Sequence, residues 1–96
     1  MDKDTIKKEL IDKSNNILAK YSEPDIVESI SVMNMANQTV FLGSLRVYNE
    51  NNVSDIKKDL NNELKDYGEL TVRNQKVTPC CSPVYIHFSF NITIKN

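Results

Sequence analysis

The end of the chain constrains the fold more than any other stretch. From Val84 to Lys95, apolar residues (Val84, Ile86, Phe88, Phe90, Ile92, Ile94) alternate without interruption with Tyr85, His87, Ser89, Asn91, Thr93 and Lys95. Side chains of an extended strand point to opposite faces in turn, so a period of two predicts one long strand with a buried and a wet face. Such a strand needs partners for its backbone groups and an apolar layer over its buried face. The rest of the chain must supply both.

Two segments have helical spacing. Residues 4–21 carry Ile6, Leu10, Ile17 and Tyr21 near one face, with Ile11 and Leu18 widening the stripe. Asp2 or Asp4 is placed to cap this helix, Glu9 and Lys13 to pair across one turn, and Pro24 to stop it. Residues 53–67 carry Val53, Ile56, Leu60, Leu64 and Tyr67, with Asn52 or Ser54 as the cap. Gly68 stands where a left-handed residue commonly ends a helix.

Each helix is followed by a predicted hairpin. The first covers residues 26–48: a strand through Ile26, Val27 and Ile30–Met33, a turn at Ala36–Thr39, and a second strand over 40–48 with Phe41, Leu45 and Val47 facing the core. Gly43 within it marks either a close helix approach or a bulge. The second covers residues 70–95, its strands joined by Pro79-Cys80-Cys81-Ser82-Pro83, where two prolines bracket the connection. The order αββαββ predicts one α+β domain over residues 1–96, a two-layer sandwich in which both helices lie on one face of a four-stranded, mostly antiparallel sheet.

The halves also echo each other. Thr5-Ile6-Lys7-Lys8-Glu9-Leu10 resembles Asp55-Ile56-Lys57-Lys58-Asp59-Leu60, and Tyr21-Ser22-Glu23 resembles Tyr67-Gly68-Glu69. An internal αββ duplication is one explanation. Two amphipathic helices in a biased composition are the other.

Charge and composition exclude several classes. Twelve Lys and Arg against 13 Asp and Glu leave a net charge of −1, whereas a duplex-DNA binder usually carries a basic excess for phosphate neutralisation. No apolar run approaches the roughly 18–20 residues needed to span a bilayer. The first residues turn polar and helical at once, which leads to the expectation of a cytoplasmic chain. The bias toward Asn, Lys and Ile, with Lys far above Arg, matches an AT-rich genome and suggests a phage or mobile-element accessory protein.

Catalytic chemistry finds little support. Two glycines, far apart, cannot form a phosphate-binding loop, and the spacings of metalloproteases, dinucleotide-binding folds and zinc fingers are absent. Cys80 and Cys81 with His87 would give a thiol–base pair, but the alternation puts His87 on the wet face with nothing evident to orient it. A structural zinc site takes four ligands, and these three do not complete the set. The reading is therefore of no enzyme, no cofactor and no metal.

What remains is the sheet face that two helices on the other side must leave bare. The last strand presents Tyr85, His87, Asn91 and Thr93 there, and the second strand adds Val40, Leu42, Arg46 and Tyr48. That mixture of aromatic, apolar and polar groups has the composition of a recognition surface. The leading expectation is a non-catalytic protein-binding module, an inhibitor, adaptor or regulator. The alternatives are an assembly subunit of a virion or secretion apparatus, joined as a homo-oligomer through a sheet edge or face, and a nucleic-acid or small-ligand binder on the open face.

Overall fold

The computed structural model describes residues 2–95. Helix α1 spans Lys3–Lys20, strand β1 Ser31–Asn34, β2 Gln38–Val47, helix α2 Val53–Leu64, β3 Glu69–Val77 and β4 Tyr85–Lys95. Short 3-10 turns at Glu50–Asn52 and Lys65–Tyr67 flank α2. The sheet is antiparallel throughout, in the order β1-β2-β4-β3. This is the α+β class with a four-stranded sheet that the sequence predicts.

The centre of the sheet is the ladder between β2 and β4, which runs from Gln38 opposite Lys95 to Val47 opposite Ile86. Its inner face buries Phe41, Leu45 and Val47 from β2 and Ile86, Phe88, Phe90 and Ile92 from β4. The helices add Ile6, Leu10, Ile17 and Leu18 from α1, and Ile56, Leu60 and Leu64 from α2, to this one core. Each fully buried aliphatic or aromatic side chain contributes roughly 1.5–3 kcal/mol relative to exposure. The layer arrangement follows: one amphipathic sheet face and two amphipathic helices can bury these stripes only against each other.

Several local expectations are corrected. Residues 26–30 are not a strand; they form a connector in which Val27 and Ile30 are buried while Ile26 lies exposed. Asn15 holds it in place, its amide donating to the Val27 carbonyl at 3.0 Å and its carbonyl accepting from the Val27 N–H at 2.7 Å. That side chain supplies the pairing a neighbouring strand would have given. The β1–β2 turn is tighter than expected, with the Met35 N–H donating to the Gln38 carbonyl across Ala36 and Asn37. Gly43 faces neither a helix nor a bulge. It lies directly across from Phe90, and a Cβ there would overlap the Phe90 ring. Asp2 caps α1 as anticipated, but Asn52 makes no capping bond to α2 and instead donates to the Tyr21 carbonyl and the Glu23 carboxylate. Lys13 reaches Glu63 of α2 at 3.7 Å rather than Glu9.

The helix ends are reversed relative to the glycine signal. Gly68 has φ 165°, which is extended backbone, so it is not a left-handed cap. Glycine is needed there because a Cβ would come within 2.5 Å of the Thr93 carbonyl oxygen. The left-handed residue is Ser22, with φ 59°. The Glu23 N–H donates to the Leu18 carbonyl at 2.9 Å and the Ser22 N–H to the Ala19 carbonyl at 3.1 Å, the paired bonds of a Schellman ending. The strand order places the second strand of each half at the sheet centre and the first at an edge, as a repeated αββ unit would. The two helix endings nevertheless differ in conformation.

A polar link joins the helices. The Tyr21 hydroxyl donates to Asp59 at 2.7 Å, and Lys20 pairs with the same oxygen at 3.1 Å. The Tyr21 hydrogen bond, followed by Lys20, holds the Asp59 carboxyl below the usual carboxylate range. The same bond to Asp59 raises the Tyr21 phenol above its ordinary value.

Two predictions follow from these contacts. A non-glycine residue in the left-handed region costs roughly 1–2 kcal/mol, part of which glycine returns through its freer unfolded state. Ser22→Gly is therefore expected to stabilise the fold by about 0.5–1 kcal/mol, seen as a rise in Tm of roughly 3–6 °C. For Asp59, a depressed folded pKa gives stability that is present above the unfolded carboxylate value of about 3.9 and is lost as pH falls through the lower folded value. Asp59→Asn should lower the unfolding free energy measured by urea titration at pH 7 by less than about 1 kcal/mol, because the pair is solvent-screened. The gap to wild type should close as the pH falls below about 4.

Candidate interaction face

The register fixes which residues share the uncovered face. Directly opposed residues in an antiparallel ladder project to the same side. The outer face therefore carries the rows Met33–Val40–Thr93–Glu69, Ser31–Leu42–Asn91–Thr71, Ser44–Ser89–Arg73 and Arg46–His87–Gln75. Tyr48, one residue past β2, meets Tyr85 with ring centroids 5.9 Å apart and a tilt of 54°. All eight residues singled out from the sequence (Val40, Leu42, Arg46, Tyr48, Tyr85, His87, Asn91 and Thr93) thus lie on one surface, six of them in two groups, with Asn91 and Thr93 opposite Leu42 and Val40. Val40 and Leu42 join the exposed Met33 in an apolar end. Arg46, Tyr48, Tyr85 and His87 form an aromatic and basic end.

At the basic end the Arg46 guanidinium lies over the Tyr85 ring, 4.7 Å from its centroid. Tyr48, then Tyr85, raise the guanidinium pKa above its already high ordinary value, so it stays charged. A cation held over an aromatic ring gives a flat, preorganised edge of donors with little side-chain entropy left to lose on binding. Arg73 and Gln75, which the sequence reading did not place, extend this group across β4. Both arginines of the chain and its single histidine therefore stand on the outer face. The four strands carry Arg46, Arg73, Lys76 and Lys95 against one acid, Glu69. A chain that is neutral on average thus has a basic sheet and places most of its acids on the helices and connections.

The sheet edges are treated unequally. Because Met35 donates to Gln38, the even-numbered residues of β2 direct their backbone groups away from β4. Strand β1 pairs with them only as far as Leu42. Beyond that point acidic side chains take over: Asp25 accepts from the Arg46 N–H at 2.7 Å, and Glu23 accepts from the Tyr48 N–H at 2.7 Å and the Asn49 N–H at 3.2 Å. Glu23 is buried and also receives the Asn52 amide at 2.8 Å. Two carboxylates, spaced like strand residues, close this end of the β2 edge. Among the described residues, no side chain covers the β3 edge in this way.

Cys80 and Cys81 are exposed and unbridged in the β3–β4 connection. Among the described residues no group of three or more His, Cys, Asp or Glu side chains is gathered closely enough to hold a metal ion, and no helix is long and apolar enough to cross a membrane. Compared with protein-family models, curated proteins and solved structures, the chain matches none.

The Glu23 bonds yield a test of the edge closure. Glu23→Gln sets an amide NH2 against backbone donors and leaves at least one of them unpaired. Losing charge-assisted bonds of this kind costs about 1.5–3 kcal/mol. Urea unfolding should show that loss, whereas the same change at exposed Glu28 should stay within about 0.5 kcal/mol of wild type.

Proposed function

We propose that this chain is a non-catalytic protein-binding module, an inhibitor, adaptor or regulator, that engages an acidic surface of its partner through the outer sheet face. The observation that carries this reading is the gathering of both arginines, the single histidine and the Tyr48–Tyr85 pair on the layer the helices leave open. Tyr and Arg are the residues most enriched among interface hot spots, and complementary charge speeds and orients encounter. The Met33–Val40–Leu42 end supplies apolar area next to the polar anchors. The AT-rich composition leaves a phage or mobile-element accessory role as the setting we propose.

A second reading is favoured by the same aromatic pair: a single-stranded nucleic acid could stack on tyrosines flanked by arginines. The protein reading is preferred because Tyr85 is already engaged by Arg46 and Tyr48 and does not stand free as a stacking plate.

The test begins with affinity capture from the source cell and proceeds to titration of the purified partner. Arg46→Glu and Tyr85→Ala should each weaken binding about 10–100-fold, the range of interface hot spots. Lys8→Glu on the exposed side of α1 should leave affinity within about twofold. Wild-type affinity in both face variants would remove the proposed surface. Salt-dependent binding of oligonucleotides, lost in the same variants, would transfer the face to the second reading.

A further inference from the structure

We propose that the open edge of β3 pairs with the β3 of a second copy, in an antiparallel register centred on Thr71, to make an eight-stranded sheet across a two-fold axis. The proposal does not require the partner-binding reading: the two share Arg73, but the pairing rests on the free backbone groups of β3 and on Glu69, which that reading does not use.

The backbone phase comes first. In an antiparallel ladder, alternate residues direct both their N–H and C=O to the same neighbour. Since the even residues of β2 face β1, its odd residues face the even residues of β4, and the odd residues of β4 face the odd residues of β3. Leu70, Val72, Asn74 and Lys76 therefore aim their backbone groups at the open edge. Proteins usually blunt such an edge by keeping it short or covering it. The opposite edge shows both devices: a four-residue β1, then the Asp25 and Glu23 carboxylates. Strand β3 has nine residues and, among the described residues, neither device.

Charge then selects the register. A two-fold axis that keeps both outer faces on the same side pairs residues whose numbers sum to an even value. With at least five residues of β3 overlapping, five registers exist. Centred on Arg73, the arginines of the two copies stand directly opposed, which is destabilising. Centred on Val72, Asn74 or Gln75, neither Arg73 nor Glu69 meets an opposite charge. Centred on Thr71, Glu69 stands across from Arg73 of the second copy, and the symmetry repeats the pair. Neither residue forms an ion pair with another described residue of its own chain. In that register Leu70 and Val72, both half-buried at the margin of the core, oppose each other on the helix side with their free backbone groups in phase to bond. Thr71 faces Thr71, a favourable cross-strand pair. The outer faces of the two copies would then form one continuous basic surface.

A five-residue overlap makes a small interface, so the dimer is expected to be weak, with Kd on the order of 10–1,000 μM. Sedimentation velocity on the 96-residue chain, from about 10 μM to about 1 mM, should show a concentration-dependent monomer–dimer equilibrium. Glu69→Arg and Arg73→Glu should each weaken it at least tenfold, and the combined swap should restore it. Opposed strand residues lie within disulfide reach. In a Cys80→Ser/Cys81→Ser background, Thr71→Cys should therefore cross-link on mild oxidation, while Arg73→Cys, displaced from the axis, should not. A wild-type chain that stays monomeric at 1 mM overturns the proposal. So does failure of the combined swap to restore association, or equal cross-linking at positions 71 and 73. Circular dichroism of each variant separates a lost dimer from a lost fold. Because no foreign partner is present, the outcome is distinct from that of the face variants above.

Discussion

Everything else in the molecule is arranged around the ladder between β2 and β4. These two strands form the middle of the sheet, and seven of their apolar side chains are buried on its inner face. The ladder is non-local, joining residues 38–47 to 86–95, so its closure orders both halves of the chain together. At its centre Phe90 lies over Gly43. A glycine weakens a strand by exposing backbone and offering nothing to pack. Here the aromatic ring from the opposite strand fills that space and shields the backbone.

Around the ladder, side chains perform work that main chain does elsewhere. Asn15 pairs with both backbone groups of Val27, and Glu23 and Asp25 receive the N–H groups that β1 is too short to reach. Glu23 also bonds Asn52, so the end of α1, the end of β2 and the start of α2 share one carboxylate. The conformation of Ser22 delivers it there. The left-handed turn ends α1 and directs the following residue inward, which explains why strain is tolerated at a position where glycine would be easier.

How far this was legible in the sequence depended on whether a residue answered to a periodic environment or to a single neighbour. β4 and α2 were clear because each has one buried side, so burial writes a period of 2.0 or 3.6 directly into residue type. The eight outer-face residues could be grouped for the same reason: their orientation follows once Phe88 and Phe90 are assigned inward. β3 was harder. Arg73, Asn74, Gln75 and Lys76 are exposed on both faces at the sheet edge, so alternation fades and Arg73 and Gln75 went unassigned. The connector at 26–30 misled because Val27 and Ile30 are buried like strand residues while their chain is irregular. Gly68 misled because the helix-cap signal and the need for close approach to Thr93 select the same residue.

The uneven edges and the uneven charge bear on each other. A basic sheet face on a chain of net charge −1 implies that the acids were placed elsewhere for a reason, and two of them, Glu23 and Asp25, close the β2 edge. That leaves Glu69 as the one strand acid, at the start of the edge that remains open. If the face alone mattered, an acid within it would weaken its attraction for an acidic partner. Its position four residues before Arg73, on the same side of β3, makes sense when the strand meets its own symmetry mate, because the pair then neutralises across the axis and leaves Arg46 and His87 unopposed. Face and edge would then serve one purpose. Each copy presents a weak basic patch, and pairing doubles it, so a partner with two acidic sites would be held by effective concentration as well as by contact.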